Sequence, residues 1–271
     1  MVAGNVVEDR APGGAWVPGG PSLYSARAAA ALGARVTLIT RLSPGFDRTA
    51  LEGLDLRPIP ATSLPRYANT YDAAGNRTQL LLCPGEPLDA HLSLDAPADA
   101  LIVAPAYHEF DALPVVPAHL LAVSYQGILR TADGQGRVLH TPGPASATLP
   151  FSAPGSFAFF SEEDTADPEG LAQALAGRGV TVFLTRGPQG ATLFRHGEIT
   201  SFPAVPASAN DPTGAGDCFA AAFVVRFVET RSVEKATLFA LAAAALSVEG
   251  EGLASVPARA QVESRLARVA A

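Results

Sequence analysis

The sequence predicts an α/β protein: a mostly parallel central sheet with helices on both faces, a three-layer α/β/α sandwich. Short apolar runs recur at residues 36–40, 101–104, 120–124, 157–160 and 180–185. Strands that are apolar along their whole length are buried on both faces, as in a covered parallel sheet. Helix formers lie between and after these runs, at 22–32 and from 214 onward, so strands and helices alternate.

Composition narrows the class. With 48% hydrophobic residues in a chain of 271, residues 1–271 can bury a sizeable core as one domain. The net charge of −7 argues against a nucleic-acid partner, because no overall basic field meets phosphates. Cys83 and Cys218 are far apart and lack any CxxC or Cys/His pattern, so neither a disulfide framework nor zinc is expected, and a reducing cytoplasm is the expected home. The first residues carry no signal-peptide pattern, and the most apolar stretch, 238–248, is too short to span a bilayer. Lys235 is the one lysine and has no GxxxxGK[ST] around it, which excludes a P-loop and a protein-kinase strand lysine. A phosphate clamp must then use backbone amides, arginines and a metal.

Taken in order, residues 4–9 read as the end of a short strand running into a polar turn, followed by the glycines at 13–14 and 19–20. Residues 22–32 form a helix closed by Gly33, and 36–40 a strand. Residues 67–71 and 78–82 form a hairpin around 73–76. After the strand at 120–124 comes Gln126-Gly127-Ile128-Leu129-Arg130, and after that at 157–160 comes Ser161-Glu162-Glu163-Asp164. The latter has two compatible readings: a helix N-cap with acids in its first turn, or oxygen ligands for Mg²⁺. The strand at 180–185 ends in Thr185-Arg186-Gly187-Pro188-Gln189-Gly190, and a hairpin turns at His196-Gly197.

The stretch that organises the rest is Asn210-Asp211-Pro212-Thr213-Gly214-Ala215-Gly216-Asp217-Cys218-Phe219, which opens an apolar helix over 214–229. Gly214 and Gly216 let the backbone approach a ligand closely. The helix's first-turn amides lack intrahelical partners and sit at the positive end of the dipole, which favours a phosphate-like anion. Asp217 has two readings: a charge complementing the dipole, or a general base beside an anion hole.

This stretch resembles the C-terminal signature of the ribokinase-like (PfkB) carbohydrate kinases, and the resemblance extends over nearly the whole chain. It implies a ribokinase-like fold with a small β lid, built from segments near 10–18 and 64–84. It also implies an ATP- and Mg²⁺-dependent kinase of a small sugar or polyol, with Asp217 as base and Gly214, Ala215 and Gly216 as the anion hole. Asp9, Gly19 and Gly20 match the family's acceptor-holding positions, and Tyr24 stands where the family usually carries Asn. Gln126 and Arg130 resemble the Gln-Gly-x-x-Arg of inositol-kinase-like members and are candidate acceptor or phosphate contacts. Ser161 and Asp164 fall on the family's Asn-x-x-Glu, implying Mg²⁺ held through water. Thr185, Gly187 and Gly190 match the nucleotide loop, Val248 and Gly252 the adenine side, and Leu241 replaces a frequent Asn there. The expected partner is the small-molecule acceptor, with homodimerisation through the lid and no membrane or nucleic acid. A nucleoside kinase of the same superfamily, with Tyr24 or Trp16 stacking on a base, is one alternative. A catalytically weak sugar- or nucleotide-binding protein is the other.

Overall fold

The computed structural model describes residues 1–11, 13–71, 77–88, 97–115, 117–139 and 148–269. The main sheet is built from β1 (Val2–Ala3), β4 (Thr37–Leu42), β5 (Asp55–Pro60), β8 (Leu101–Val103), β9 (Leu121–Ser124), β12 (Phe157–Ser161), β13 (Thr181–Thr185), β14 (Ala191–Arg195) and β15 (Glu198–Phe202). Its nine strands run in the order β15-β14-β13-β12-β9-β8-β1-β4-β5. All pairings are parallel except those of β14 and β15. A separate four-stranded sheet, ordered β3-β2-β6-β7, holds β2 (Val7–Arg10), β3 (Trp16–Gly19), β6 (Pro65–Tyr71) and β7 (Arg77–Pro84). A small antiparallel pair, β10 (Thr131–Ala132) and β11 (Val138–Leu139), completes the strands.

The helices are α1 (Pro21–Ala31), α2 (Gln126–Leu129), α3 (Pro168–Ala176), α4 (Ala215–Thr230), α5 (Val233–Ser247) and α6 (Arg259–Val269). Local chemistry sets their ends. Pro21 opens α1, where a missing N–H costs nothing. Asp167 caps α3 by accepting from the Gly170 amide, and Ser232 caps α5 by accepting from that of Lys235. No helix among the described residues is long and apolar enough to cross a membrane.

Alternation along the strands shows why both faces are covered. Val2, Leu38, Ile102, Ala122, Phe157, Phe159 and Phe183 join the core beneath α1, α4 and α5. Their neighbours Ala3, Ile39, Val103, Val123, Ala158, Phe160 and Val182 join a second core under α3. The first core is anchored by a ladder on α4, where Phe219, Phe223 and Phe227 recur every four residues on one face. Phe223 lies 4.5 Å from Phe183 and 4.9 Å from Phe157, centroid to centroid, and stacks on Phe227.

Two readings from the sequence need correction. Residues 4–9 are not one strand end: β1 stops at Ala3 and β2 begins at Val7, in a different sheet. The break falls at Gly4, where a side chain would overlap the Ala104 carbonyl. Ser161 does not cap a helix either. Residues 161–164 form a tight turn, with the Asp164 amide donating to the Ser161 carbonyl, and the next helix starts only at Pro168. The expected hairpin tip at 73–76 lies outside the described residues, but its flanks β6 and β7 pair antiparallel.

Phe223→Ala is expected to cost about 3–5 kcal/mol, the range for emptying a buried aromatic site, read as a lowered urea midpoint at an unchanged m-value.

Candidate active site

The loop before α4 is held by a side chain whose role the sequence reading passed over. One Asp211 oxygen accepts from the Thr213 amide at 2.9 Å and the other from the Gly252 amide at 3.0 Å. The Val248 carbonyl accepts from the amides of Asn210 and Asp211. Val248 and Gly252 therefore fasten this loop to the end of α5. At the N-cap of α4, Gly214 takes φ 78°, and a Cβ there would overlap the ring of buried Tyr24. Gly216 is the reverse case. It is exposed, and a Cβ on it would meet nothing within 4 Å. Among the described residues, the Gly216 and Asp217 amides donate to no main-chain acceptor, as expected for the first turn of a helix.

Asp217 is the third residue of α4 and is buried. Burial pushes its carboxyl up to about 7; Arg130 pulls it down and Asp164 pushes it further up. Tyr24 is raised by burial first and then by Asp211, Asp9 and Asp217, which places Asp9 and Asp217 around the same phenol. Asp9 lies on β2 opposite Val17 and Tyr67. The glycine pair after it has a steric cause: a Cβ on Gly19 would overlap the Asp9 carboxylate, and one on Gly20 the Val7 side chain.

Gln126 and Arg130 come from α2 and its C-terminal end. Gln126 donates to one Asp164 oxygen at 3.2 Å, and the Ser161 amide donates to the other at 2.7 Å. The Ser161 hydroxyl accepts from the Glu163 amide at 3.2 Å. Burial raises the Asp164 pKa, opposed by these hydrogen bonds and by Arg130. With both carboxylate oxygens engaged, Asp164 fits an ion reached through water better than one bound directly. Among the described residues, no cluster of His, Cys, Asp or Glu is arranged to hold a metal.

At the end of β13 the Thr185 hydroxyl donates to the Phe160 carbonyl, and Gly187 opens a 3₁₀ turn ended by Gly190. Gly190 has φ 98°, and a side chain there would overlap the Phe202 carbonyl of β15. Arg186 between them is bound to Glu162 at 3.1 Å and Glu169 at 2.7 Å. Two cavities, of about 390 and 440 Å³, lie apart from Asp217, one beside Arg186 and Gln189 and the other beside Glu249 and Arg265. Trp16 pairs with Arg10, on the face of the small sheet opposite Asp9, and the Arg66 guanidinium lies over its ring. Leu241 is buried in the core within α5.

Residues 155–259 match the family described as pfkB family carbohydrate kinase. Over those residues the chain carries the PfkB (ribokinase-like) pattern. It is accordingly a phosphotransferase with an alcohol acceptor. It is 27% identical to a ribokinase of Bacillus subtilis (strain 168) over 273 residues, covering 92% of this chain and 88% of that protein. Among solved structures, the sulfate complex of a pyrophosphate-dependent kinase in the ribokinase family superposes with a TM-score of 0.77 at 21% identity, over 97% of this chain and 99% of that one. A pyrophosphate-dependent kinase of that family complexed with a pyrophosphate analog and myo-inositol gives a TM-score of 0.74 at 20% identity, over 97% and 99%. The PfkB fold is thus present across the described residues.

The two glycines of this PfkB signature are expected to respond oppositely. Gly214→Ala loses about 1–3 kcal/mol through its left-handed φ and the Tyr24 overlap, whereas Gly216→Ala keeps or gains up to about 1 kcal/mol as a helical glycine replaced by alanine. Thermal unfolding of the two variants checks this.

Proposed function

We propose that this kinase transfers the γ-phosphoryl group of ATP to a hydroxyl of a small sugar or polyol, within a single domain spanning 1–271 whose small sheet is the lid. The observation that carries the reading is a buried carboxylate titrating near neutrality, Asp217, three residues into a helix whose first-turn amides lie beside open space at Gly216.

In this reading Asp9 accepts acceptor hydroxyls, since an ionised carboxylate can receive two at once. Gly19 leaves room for that carboxylate and Gly20 for the Val7 side chain. Asp217 takes the proton from the attacking hydroxyl, and its near-neutral pKa suits a general base. The Gly214–Asp217 amides and Arg130 offset charge on the transferred group. Thr185, Gly187 and Gly190 present the strand end toward the donor. Ser161 and Asp164 would hold Mg²⁺ through water, and that ion supplies charge neutralisation on the phosphates.

Leu241 favours a second reading of the donor. Being buried inside α5, it offers nothing to a nucleotide base, which suits a donor without one, such as pyrophosphate. A nucleoside acceptor has less support, because the Tyr24 ring is occupied by Gly214 and Trp16 faces away from Asp9. The deciding experiment measures turnover with ATP or pyrophosphate against inositols, hexoses, pentoses and nucleosides. No turnover with any pair would end the reading.

The kcat/KM of the wild-type protein is expected to fall about tenfold per pH unit below pH 7 as Asp217 takes up a proton. Arg130→Gln moves that limb to higher pH, because it removes the cation holding the pKa down, and Asp164→Asn moves it lower. Asp217→Asn should cut kcat by about 10²–10⁴ with donor affinity retained. Asp9→Ala should raise the acceptor KM far more than the donor KM; equal effects would remove Asp9 from the acceptor site.

A further inference from the structure

The parallel strands change direction of succession at β1: the chain moves to β4 and β5 on one side and returns to β8 on the other. Clefts at such points are where open α/β sheets place ligands. Here the C-terminal ends of β1 and β8 are joined by a buried side chain that neither the sequence reading nor the mechanism uses. Glu109 is 1% exposed. One of its oxygens accepts from the Ala106 amide at 2.8 Å and the Asn5 amide at 3.3 Å, and the other from the Tyr107 amide at 2.9 Å. It makes no ion pair among the described residues.

The peptide that Glu109 grips is shared. The Ala106 carbonyl accepts from the Tyr67 hydroxyl at 2.9 Å and from Arg130 Nη1 at 3.3 Å, and the Arg130 guanidinium lies over the Tyr67 ring. Tyr67 belongs to β6 of the small sheet and pairs with Asp9, while Arg130 acts on Asp217 and Asp164. Glu109 also receives the Asn5 amide, in the link between β1 and β2 that carries Asp9. We propose that Glu109 is a positioning residue that fixes, through the Ala106 peptide, both the seating of the small sheet and the place of Arg130 beside Asp217. The role rests on the kinase reading for its effect on turnover, but not for its effect on the small sheet.

A carboxylate is required by the count of donors. Three N–H groups converge on it, and a glutamine would present its own NH₂ to at least one of them, leaving a buried donor unpaired. Burial raises the Glu109 pKa to about 7, against the pull of those amides.

The test compares wild type, Glu109→Gln, Tyr67→Phe and the double variant by hydrogen–deuterium exchange and by steady-state kinetics. In Glu109→Gln, exchange over residues 65–69 should rise at least about tenfold while α4 stays protected. The acceptor KM should rise and kcat fall by about tenfold or more, with the donor KM within about twofold. The double variant should be no worse than Glu109→Gln alone, because both act through one peptide. Unchanged exchange over 65–69, additive effects, or a lowered Tm with wild-type kcat and KM in the folded fraction would overturn the inference. If Glu109→Gln fails to fold, Tyr67→Phe carries the test and must itself loosen 65–69 and raise the acceptor KM. If wild type turns over no acceptor, the kinase reading fails, and the exchange measurement still decides the role of Glu109 in seating the small sheet.

Discussion

The structure depends on how firmly α4 is held against the sheet. Its Phe219–Phe223–Phe227 face packs on Phe157, Phe159 and Phe183, three aromatic side chains projecting from neighbouring strands. With its body enclosed, the helix can neither slide nor rotate without opening the core, so its N-terminal turn stays fixed at the strand ends. Two consequences follow at that turn. Asp217 is desolvated because it sits two residues before Phe219, where the enclosed face begins, and burial lifts its pKa toward neutrality. Among the described residues the Gly216 and Asp217 amides have no main-chain acceptor, so a proton acceptor and anion donors lie within a few residues of each other.

A second constraint concerns the two sheets. The chain passes between them in the segments after β1, β3, β5 and β7, and the crossings after β1, β5 and β7 are tied by buried polar groups. Asn5 donates from its side chain to the Glu86 carbonyl and accepts from the Arg41 amide. Arg41 reaches the carbonyls of Pro60 and Pro87 and pairs with Glu86 at 3.4 Å. Such a network holds its parts in one arrangement when every member is satisfied. It places Asp9, carried on the small sheet, in a set relation to Asp217, carried on the main one.

Much of this was legible in the sequence because it is local. Apolar runs of strand length gave the parallel sheet, and the Gly-Ala-Gly before an apolar helix marked the start of α4. The glycines were legible as special positions, but their causes were not. Gly19 yields to Asp9, Gly20 to Val7 and Gly214 to Tyr24, each a contact across sequence that no local pattern encodes. For the same reason Asp211 and Glu109 went unassigned. Each joins near amides to one distant in sequence, Gly252 for Asp211 and Asn5 for Glu109, and the local letters read as an ordinary loop acid. The split of residues 4–9 between two sheets was hidden too, since the letters around Gly4 read equally well as one strand.

The charges around Asp217 bear on what the proposed reaction needs. Arg130 is the cation acting on both Asp164 and Asp217, and Asp9 and Asp217 both act on Tyr24. Arg186, the arginine in the loop between Thr185 and Gly187, is already neutralised by Glu162 and Glu169. Lys235, the one lysine, caps no phosphate site and lies at the start of α5. A polyphosphate donor would therefore bring several negative charges to carboxylates with little protein cation to meet them, and the partial charge of a helix terminus is only about half a unit. In the proposed reaction a divalent ion arriving with the donor, held to Asp164 through water, would close that balance, with the Gly216 and Asp217 amides adding the share of the helix terminus.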